Sequence, residues 1–196
     1  MEKTDKQRLM KAFSGIVSLS QSDIEIALPN FSFQSYQPEE YIFKTGQQIT
    51  DVYFVLKGIG RYFYCDEKGK EMNKSLVREG GAFTSISSVV EGAPSPFFAQ
   101  ALIQCEIAKV NYDALVEIAR KNSRWGDFVR HAFERLVIKK EKREAGLLML
   151  TAKERYLEFL EEFGDDSHKI ALRHVAMYLG ITDVSLSRIR RELGLT

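Results

Sequence analysis

The segment over residues 172–193, LRHVAMYLGITDVSLSRIRREL, most constrains how this chain can fold. Gly180 stands where two helices must be joined, and glycine tolerates the left-handed conformation that such a turn needs. Ala176 is small enough to let the two helices cross closely. Apolar residues occupy the positions expected to face inward: Val175, Leu179, Ile181, Leu186 and Ile189. The pattern predicts a helix-turn-helix, whose second helix can enter the DNA major groove.

The second helix of this unit has one inner and one outer face. Thr182 is a suitable N-cap, and at about 100° per residue Leu186, Ile189 and Leu193 share the inner face. Arginine can bind guanine bidentately, and a small apolar group can contact a thymine methyl group. The alternative is an ordinary helical hairpin with a solvated face. The predicted DNA-binding residues are Thr182, Val184, Ser185, Ser187, Arg188, Arg190 and Arg191.

The charge of this region argues against a strongly basic DNA-binding domain. Residues 151–196 contain seven Lys and Arg and eight Asp and Glu, whereas such domains usually have a clear basic excess. The stretch SLSRIRR (185–191), however, carries three arginines and no acid. Exposed charges more than about 10 Å apart are largely screened at ~0.1 M salt, so a local basic surface can suffice.

The middle of the chain, from residue 36 to about 110, predicts an all-β domain. Short runs of β-branched and aromatic residues alternate with turn residues, including a hairpin turn at DEKGK (66–70). This spacing favours a jelly roll or sandwich. A metal-dependent jelly-roll enzyme would need imidazoles inside the barrel, but all three histidines, His131, His168 and His174, lie outside the β segment. We therefore expect no enzyme activity, no metal and no cofactor, and histidines at the surface.

Cysteine usage and hydropathy bear on location. Cys65 and Cys105 match no metal-ligand spacing and are interpreted as small buried hydrophobes in a reducing cytoplasm. No apolar run approaches the ~20 residues of a membrane span, and the N-terminus lacks a signal-peptide pattern. We expect a cytoplasmic protein.

A long helix is predicted between the β domain and the helix-turn-helix. It starts near Ser123 and runs to about Leu150 without proline. Its length of about 40 Å exceeds what one small barrel can cover, which favours a partner helix from a second subunit. Packing against its own barrel is the alternative. The predicted dimerisation residues are Trp125, Phe128, Val129, Ala132, Phe133, Leu136 and Val137.

Domain boundaries follow from these elements. The capping box TAKE (151–154) begins a new helix after a hinge at residues 147–151. The expected fold class is α+β, with a β-roll domain and flanking helices at 1–122, a dimerisation helix and hinge at 123–150, and a helix-turn-helix domain at 151–196.

From about residue 41 to 193 the chain resembles the CRP/FNR family, to which the cyclic-AMP receptor protein belongs. The resemblance rests on the order of the elements and on VYFVLKG (52–58), DEKGKEM (66–72), REGGAF (78–83), CEIAKV (105–110) and SLSRIRREL (185–193). It implies a cyclic-nucleotide-binding-like domain and a homodimeric regulator of transcription that binds double-stranded DNA, with RNA polymerase as a candidate partner. It places the base-reading arginine at Arg188 and a phosphate-contacting hydroxyl at Ser185.

The chain departs from this family in its effector pocket. Thr84 and Ser85 stand in place of a Gly-Glu pair that holds ribose, and Ser95 and Pro96 in place of an Arg-Ser pair that holds phosphate. Without the arginine a buried cyclic phosphate has no paired charge. The candidate pocket residues are Thr84, Ser85, Ile86, Ser87, Ser95, Pro96, and Lys140 and Glu141 of the long helix. We expect no response to cyclic AMP, and a different, unidentified small-molecule effector is the alternative.

Two further departures bear on function. Two cysteines are too few for the four-cysteine iron–sulfur cluster of the family's oxygen sensors. The sequence ends three residues after Leu193, so the family's C-terminal hairpin wing is expected to be absent and phosphate anchoring weaker. The alternative function is a sensor or protein-interaction module that no longer binds DNA.

Overall fold

A computed structural model describes residues 2–195 of the chain. Thr196, where the predicted third domain ends, lies outside the described residues. Helices α1 (Glu2–Ser14) and α2 (Gln21–Ala27) precede the strands, and a 3-10 turn covers Leu28–Asn30. Eight strands follow, with one short helix, α3 (Ile86–Glu91), between the sixth and seventh: β1 (Phe31–Tyr36), β2 (Tyr41–Phe43), β3 (Asp51–Lys57), β4 (Ile59–Cys65), β5 (Glu71–Arg78), β6 (Ala82–Phe83), β7 (Phe98–Ala101) and β8 (Cys105–Asn111).

The strands form a roll of two four-stranded antiparallel sheets, ordered β1-β8-β3-β6 and β2-β7-β4-β5. β4 and β5 pair from Ile59–Arg78 to Cys65–Glu71 across the predicted turn at 66–70, where the Asp66 carboxylate accepts the Lys68 and Lys70 N–H groups. The core between the sheets joins Val55 and Ile107 of one sheet to residues of the other, such as Ala99. The expected α+β class with a β-roll is confirmed.

Two helices connect the roll to the C-terminal region. α4 (Tyr112–Lys121) leads into α5 (Ser123–Met149), whose 27 residues match the predicted long helix. The Asn122 side chain caps the start of α5 by accepting the Trp125 N–H at 3.1 Å. The residue that joins α4 to α5 therefore fixes the first turn of α5.

The first two aromatic residues of α5 belong to the core of their own subunit. Trp125 and Phe128 are 0% exposed. Their rings pack against Phe13 of α1, and that of Phe128 also against Phe54 of β3. The prediction that Trp125 and Phe128 contact a second subunit is wrong, because one turn of the apolar stripe is already covered by the roll and α1.

The later apolar residues of α5 remain accessible. Phe133 is 37% exposed and Val137 58% exposed, while Ala132 and Leu136 are half-buried. Val129 is half-buried and packs against the roll. Ile138, which the sequence interpretation omitted, extends the exposed patch.

The C-terminal unit contains α6 (Ala152–Phe163), a 3-10 segment (Gly164–Lys169), α7 (Leu172–Leu179) and α8 (Asp183–Glu192). Thr151 and Glu154 form the predicted capping box of α6. Gly180 has φ 69° between α7 and α8, which confirms the predicted turn. The core of this unit includes Ile59 and Leu76 of the roll, so the helices pack on their own β domain.

Two residue-level expectations are corrected. His174 is buried, because α7 packs against β5, whereas a surface position was expected. Cys65 is exposed at the end of β4, beside the hairpin turn, and only Cys105 is a buried hydrophobe.

We predict that Phe128→Ala lowers the free energy of unfolding by about 3–5 kcal/mol, because it leaves a cavity among Phe13, Phe54 and Trp125. Urea denaturation followed by circular dichroism measures this loss. Ile26→Ala is the comparison and should cost far less, because Ile26 of α2 is 59% exposed and lies outside the apolar stripe of α5. Equal losses for the two variants would contradict the core assignment.

Candidate functional site

The two faces of α8 differ in what they contact. Leu186 and Ile189 are buried against the other helices of the C-terminal unit. On the opposite face Val184 is 80% exposed, and Ser187, Arg188 and Arg191 are also exposed. No ion pair or hydrogen bond of the Arg188 or Arg191 side chain occurs within residues 2–195. This exposed face presents two free guanidinium groups, a hydroxyl and a small apolar side chain.

The start of α8 is fixed by its cap. The Thr182 hydroxyl oxygen accepts the Ser185 N–H at 3.1 Å and lies 2.9 Å from the Ser185 hydroxyl. Thr182 is exposed and Ser185 half-exposed. Asp183 follows in the first turn, where the helix dipole favours a negative charge. The cap therefore orients the end of the helix that carries Val184.

Arg190 does not belong to the exposed face. Its Nη1 donates to the Tyr156 hydroxyl at 2.8 Å and its Nη2 to the Leu195 carbonyl oxygen at 2.7 Å. The prediction that Arg190 contacts DNA is wrong, because both terminal guanidinium nitrogens are engaged with the same subunit. Arg190 joins α8 to α6 and to the chain that follows.

The candidate effector segment runs from β6 through α3 to β7, and its polar groups are satisfied internally. The Thr84 hydroxyl donates to the Asp51 carbonyl oxygen at 3.0 Å. Ser85 is buried and its hydroxyl lies 3.3 Å from that of Ser87, beside half-buried Ile86. These residues bring no positive charge to the segment.

The polar groups of Ser95, in the second half of the segment, are also hydrogen-bonded within the chain. Ser95 is buried; its hydroxyl donates to the Phe97 carbonyl oxygen at 3.0 Å, and its carbonyl oxygen accepts the Gly46 N–H at 2.8 Å. Pro96 is exposed and has no N–H to donate. Neither residue supplies the cation that a buried phosphate would need.

Aromatic rings occupy the inside of the roll next to this segment. Tyr62 packs against Phe83, Phe97 and Phe43, with ring centroids 5.0, 5.1 and 6.2 Å away. The Tyr62 hydroxyl accepts the Thr84 N–H at 2.6 Å, and its full burial raises the pKa of the phenol. The Thr84 backbone N–H is therefore bound to a side chain of the roll itself.

Lys74 of β5 is a cationic residue at this site that the sequence interpretation missed. Its Nζ lies 3.5 Å from the Phe97 ring centroid and within 6 Å of the Tyr62 and Tyr64 rings. Burial, and then the charge of nearby Lys140, lower the pKa of Lys74 to about 8. Lys140 and Glu141 are exposed on α5. The order of polar and apolar residues along β5 does not predict that the Lys74 side chain points toward aromatic rings.

Other ligand classes find no support in the described part of the chain. Within it, no group of three or more histidine, cysteine, aspartate or glutamate side chains is placed to hold a metal ion. None of its helices combines the length and apolar character needed to cross a bilayer.

Comparison with known proteins agrees with this architecture. Residues 33–122 match the cyclic nucleotide-binding domain. The chain is 23% identical over 99 residues, half of its length, to the cAMP-activated global transcriptional regulator CRP of Salmonella typhimurium, covering 47% of that protein. It is 24% identical over 160 residues, 81% of its length, to the anaerobic regulatory protein of Haemophilus influenzae, covering 58% of that protein. The chain thus spans about half the length of the curated relatives it matches.

Among solved structures, the c-di-GMP responsive global regulator CLP of Xanthomonas campestris superposes with a TM-score of 0.69. The match covers 89% of this chain and 92% of that one, at 15% identity, and so shows the fold. The class defined here is a cyclic-nucleotide-binding-type β-roll followed by a long helix and a helix-turn-helix. In sequence the chain is similar to regulators of the CRP/FNR type, and the matched cyclic nucleotide-binding domain lies within its β-roll and α4.

We predict that Arg190→Ala lowers the free energy of unfolding by about 1 kcal/mol, because two charge-assisted hydrogen bonds at a partly exposed site are lost. Arg191→Ala is the matched control and should change it by less than about 0.5 kcal/mol, since its side chain is exposed. Urea denaturation measures both. A larger loss for Arg191→Ala would contradict the inward position of Arg190.

Proposed function

We propose that this chain is a homodimeric, DNA-binding regulator of transcription. The observation that carries the proposal is the exposed face of α8, where Arg188 and Arg191 have no partner in the described chain while Leu186 and Ile189 anchor the opposite face. Arginines held on a rigid helix can bind base edges and phosphates without losing internal contacts.

Arg188 is proposed to read a base, as the family resemblance also implies. Arg191, Thr182, Ser185 and Ser187 would contact phosphates or flank the groove. Val184, which is 80% exposed, would contact a base edge such as a thymine methyl group. Arg190 supports α8 from within the subunit instead of contacting DNA.

The second half of α5 is proposed to form the dimer contact. Phe133, Val137 and Ile138 form an exposed apolar stripe, with half-buried Ala132 and Leu136 beside it. A stripe of this kind on a helix of about 40 Å suits a parallel partner helix. Dimerisation would place two copies of α8 at successive major grooves about 34 Å apart.

Cyclic AMP is not expected to be the effector. Ser95 and Pro96 offer no positive charge, and the Thr84 N–H is already bound by Tyr62. Lys74 is a cation beside this segment, but its surroundings are aromatic. Location in the cytoplasm, contact with RNA polymerase and the absence of enzyme activity remain part of the proposal.

The second candidate function is a sensor or interaction module that does not bind DNA. Two observations favour it: the C-terminal region has more acids than bases, and the helix-turn-helix packs against its own β-roll. Salt dependence separates the two functions. A dimer that contacts several phosphates loses affinity steeply as salt rises, whereas the module shows no binding even at low salt.

Selection of bound sequences from a random DNA pool tests the proposed function. A homodimer should recover a pseudo-palindrome with half-sites one helical turn apart. On that site we predict that Arg188→Ala relaxes the preference at one position per half-site and costs ~1–3 kcal/mol per lost base contact. Titration of labelled duplexes measures the affinity.

Arg124→Ala is the matched control for Arg188→Ala. It removes the same charge from an exposed position at the beginning of α5, at the opposite end of that helix from the C-terminal unit. It should leave DNA selectivity unchanged. Unchanged selectivity in Arg188→Ala itself would overturn the assignment of Arg188 as a base-reading residue.

We also predict that saturating cyclic AMP leaves the melting temperature of the protein unchanged. A ligand at 100 times its Kd would add about 2.7 kcal/mol to the free energy of unfolding, so binding would be visible in a thermal melt. The CRP of Salmonella typhimurium serves as the positive control. A shift of several degrees in this chain would refute the proposed loss of cyclic-AMP binding.

A further inference from the structure

A buried polar cluster joins the β-roll to the helix-turn-helix unit. At its centre lies Arg61 of β4, whose side chain is only 2% exposed. Its guanidinium donates to the Gln100 Oε1 at 2.7 and 2.9 Å and to the Asn73 Oδ1 at 3.1 Å, and pairs with Glu71 at 2.7 Å. The arginine therefore orients Asn73 on β5 toward the helices.

Asn73 is the point where three parts of the fold meet. Its Nδ2 donates to the backbone carbonyl oxygen of His174 in α7 at 2.9 Å. The backbone carbonyl oxygen of Asn73 accepts a hydrogen bond from the Arg143 Nη2 of α5. The same Nη2 also donates to the Tyr178 carbonyl oxygen at 2.9 Å. One residue of the roll thus binds both the long helix and the first helix of the helix-turn-helix.

One of the two ring nitrogens of His174 has no hydrogen-bond partner in this cluster. His174 is 3% exposed, and its Nδ1 is the one buried side-chain nitrogen or oxygen over residues 4–195 that lacks a hydrogen-bond partner. Its Nε2 accepts from the Arg173 Nε at 3.2 Å. Because Nε2 accepts a hydrogen bond, the neutral ring must carry its proton on Nδ1. No hydrogen-bond acceptor lies within reach of that proton.

Two arginines and two glutamates act on the protonation of the His174 ring, and Arg143 of α5 lies in the same cluster. Arg61 of β4 and Arg173 of α7 oppose a positive ring, whereas Glu71 of β5 and Glu39, between β1 and β2, favour one. Burial is the largest effect and, with the two arginines, lowers the pKa of His174 to about 4. The docked arrangement therefore disfavours protonation of this side chain.

We propose that this cluster is a latch that holds the helix-turn-helix unit on its own β-roll, and that the latch opens when His174 takes up a proton. In the closed state the Asn73–His174 hydrogen bond fixes α7 against β5, and the Arg143–Tyr178 hydrogen bond fixes it against α5. A proton on the ring, which belongs to a residue only 3% exposed, adds a positive charge beside Arg61 and Arg173, which are already paired with Glu71 and Glu39. Separation of α7 from β5 hydrates the ring and removes that conflict.

The direction of the pH effect follows from the two states of His174. Its pKa is about 4 when docked and about 6.5 when released, so protons bind more tightly to the released state. The latch is fully effective above about pH 6.5 and is lost as the pH falls toward 4. Between pH 7.5 and pH 5.5 the ratio of released to docked molecules should rise about tenfold.

Amide hydrogen exchange on the full chain tests the latch. After correction for the intrinsic pH dependence of exchange, peptides covering α7 and β5 should open about tenfold more at pH 5.5 than at pH 7.5. In His174→Gln, which is neutral at both values, this increase should vanish. His168→Gln is the matched control, because it removes an exposed histidine outside the cluster and should keep the increase.

A second measurement covers the case in which His174→Gln does not fold. The double variant His131→Gln/His168→Gln leaves His174 as the sole histidine of the chain, so its ring resonance needs no assignment. An NMR titration midpoint well below pH 5.5 supports the latch. A midpoint near 6.5, or equal pH dependence of exchange in wild type and His174→Gln, would overturn it. No DNA is present in either measurement, so their outcome does not bear on the proposed function.

Discussion

The attachment of α5 to two different partners is the constraint on which the rest of this structure depends. Its first turns are buried with Phe13 and Phe54 in the core of the roll, so the helix cannot rotate relative to the β domain without opening that core. Further along, Lys139 donates to the Leu76 carbonyl oxygen of β5 and pairs with Glu162 of α6. The position of the helix-turn-helix is therefore defined relative to the roll by contacts on both sides of α5, and the exposed stripe between them is free for another chain.

Local features of this fold could be predicted from the sequence, because the residues that determine them are neighbours. The turn at Gly180, the Thr182 cap and the capping box at Thr151 depend on backbone groups within four residues. The apolar stripe of α5 was also visible, but its periodicity is the same whether the roll or a second subunit covers it. Trp125 and Phe128 are assigned to the roll only by residues of α1 and β3 that lie far away in sequence.

Side-chain direction was the less predictable part of the candidate site. Helical geometry places Arg190 beside the outer face, yet its guanidinium turns back to Tyr156, more than thirty residues earlier. His174 is buried because β5, about a hundred residues earlier, covers α7. In the effector segment, the sequence showed which charges are missing, but not that the Tyr62 hydroxyl accepts the Thr84 N–H from inside the roll. Such contacts depend on pairs of residues that no local pattern connects.

The surroundings of Lys74 also change its chemistry. A lysine with a pKa of about 8 has about a tenth of its side chains as free amine at pH 7, roughly two hundred times the share of a lysine with the ordinary value of about 10.4. The protonation of Lys74 is therefore coupled to its burial, because an ammonium group loses more hydration than an amine does when aromatic rings surround it.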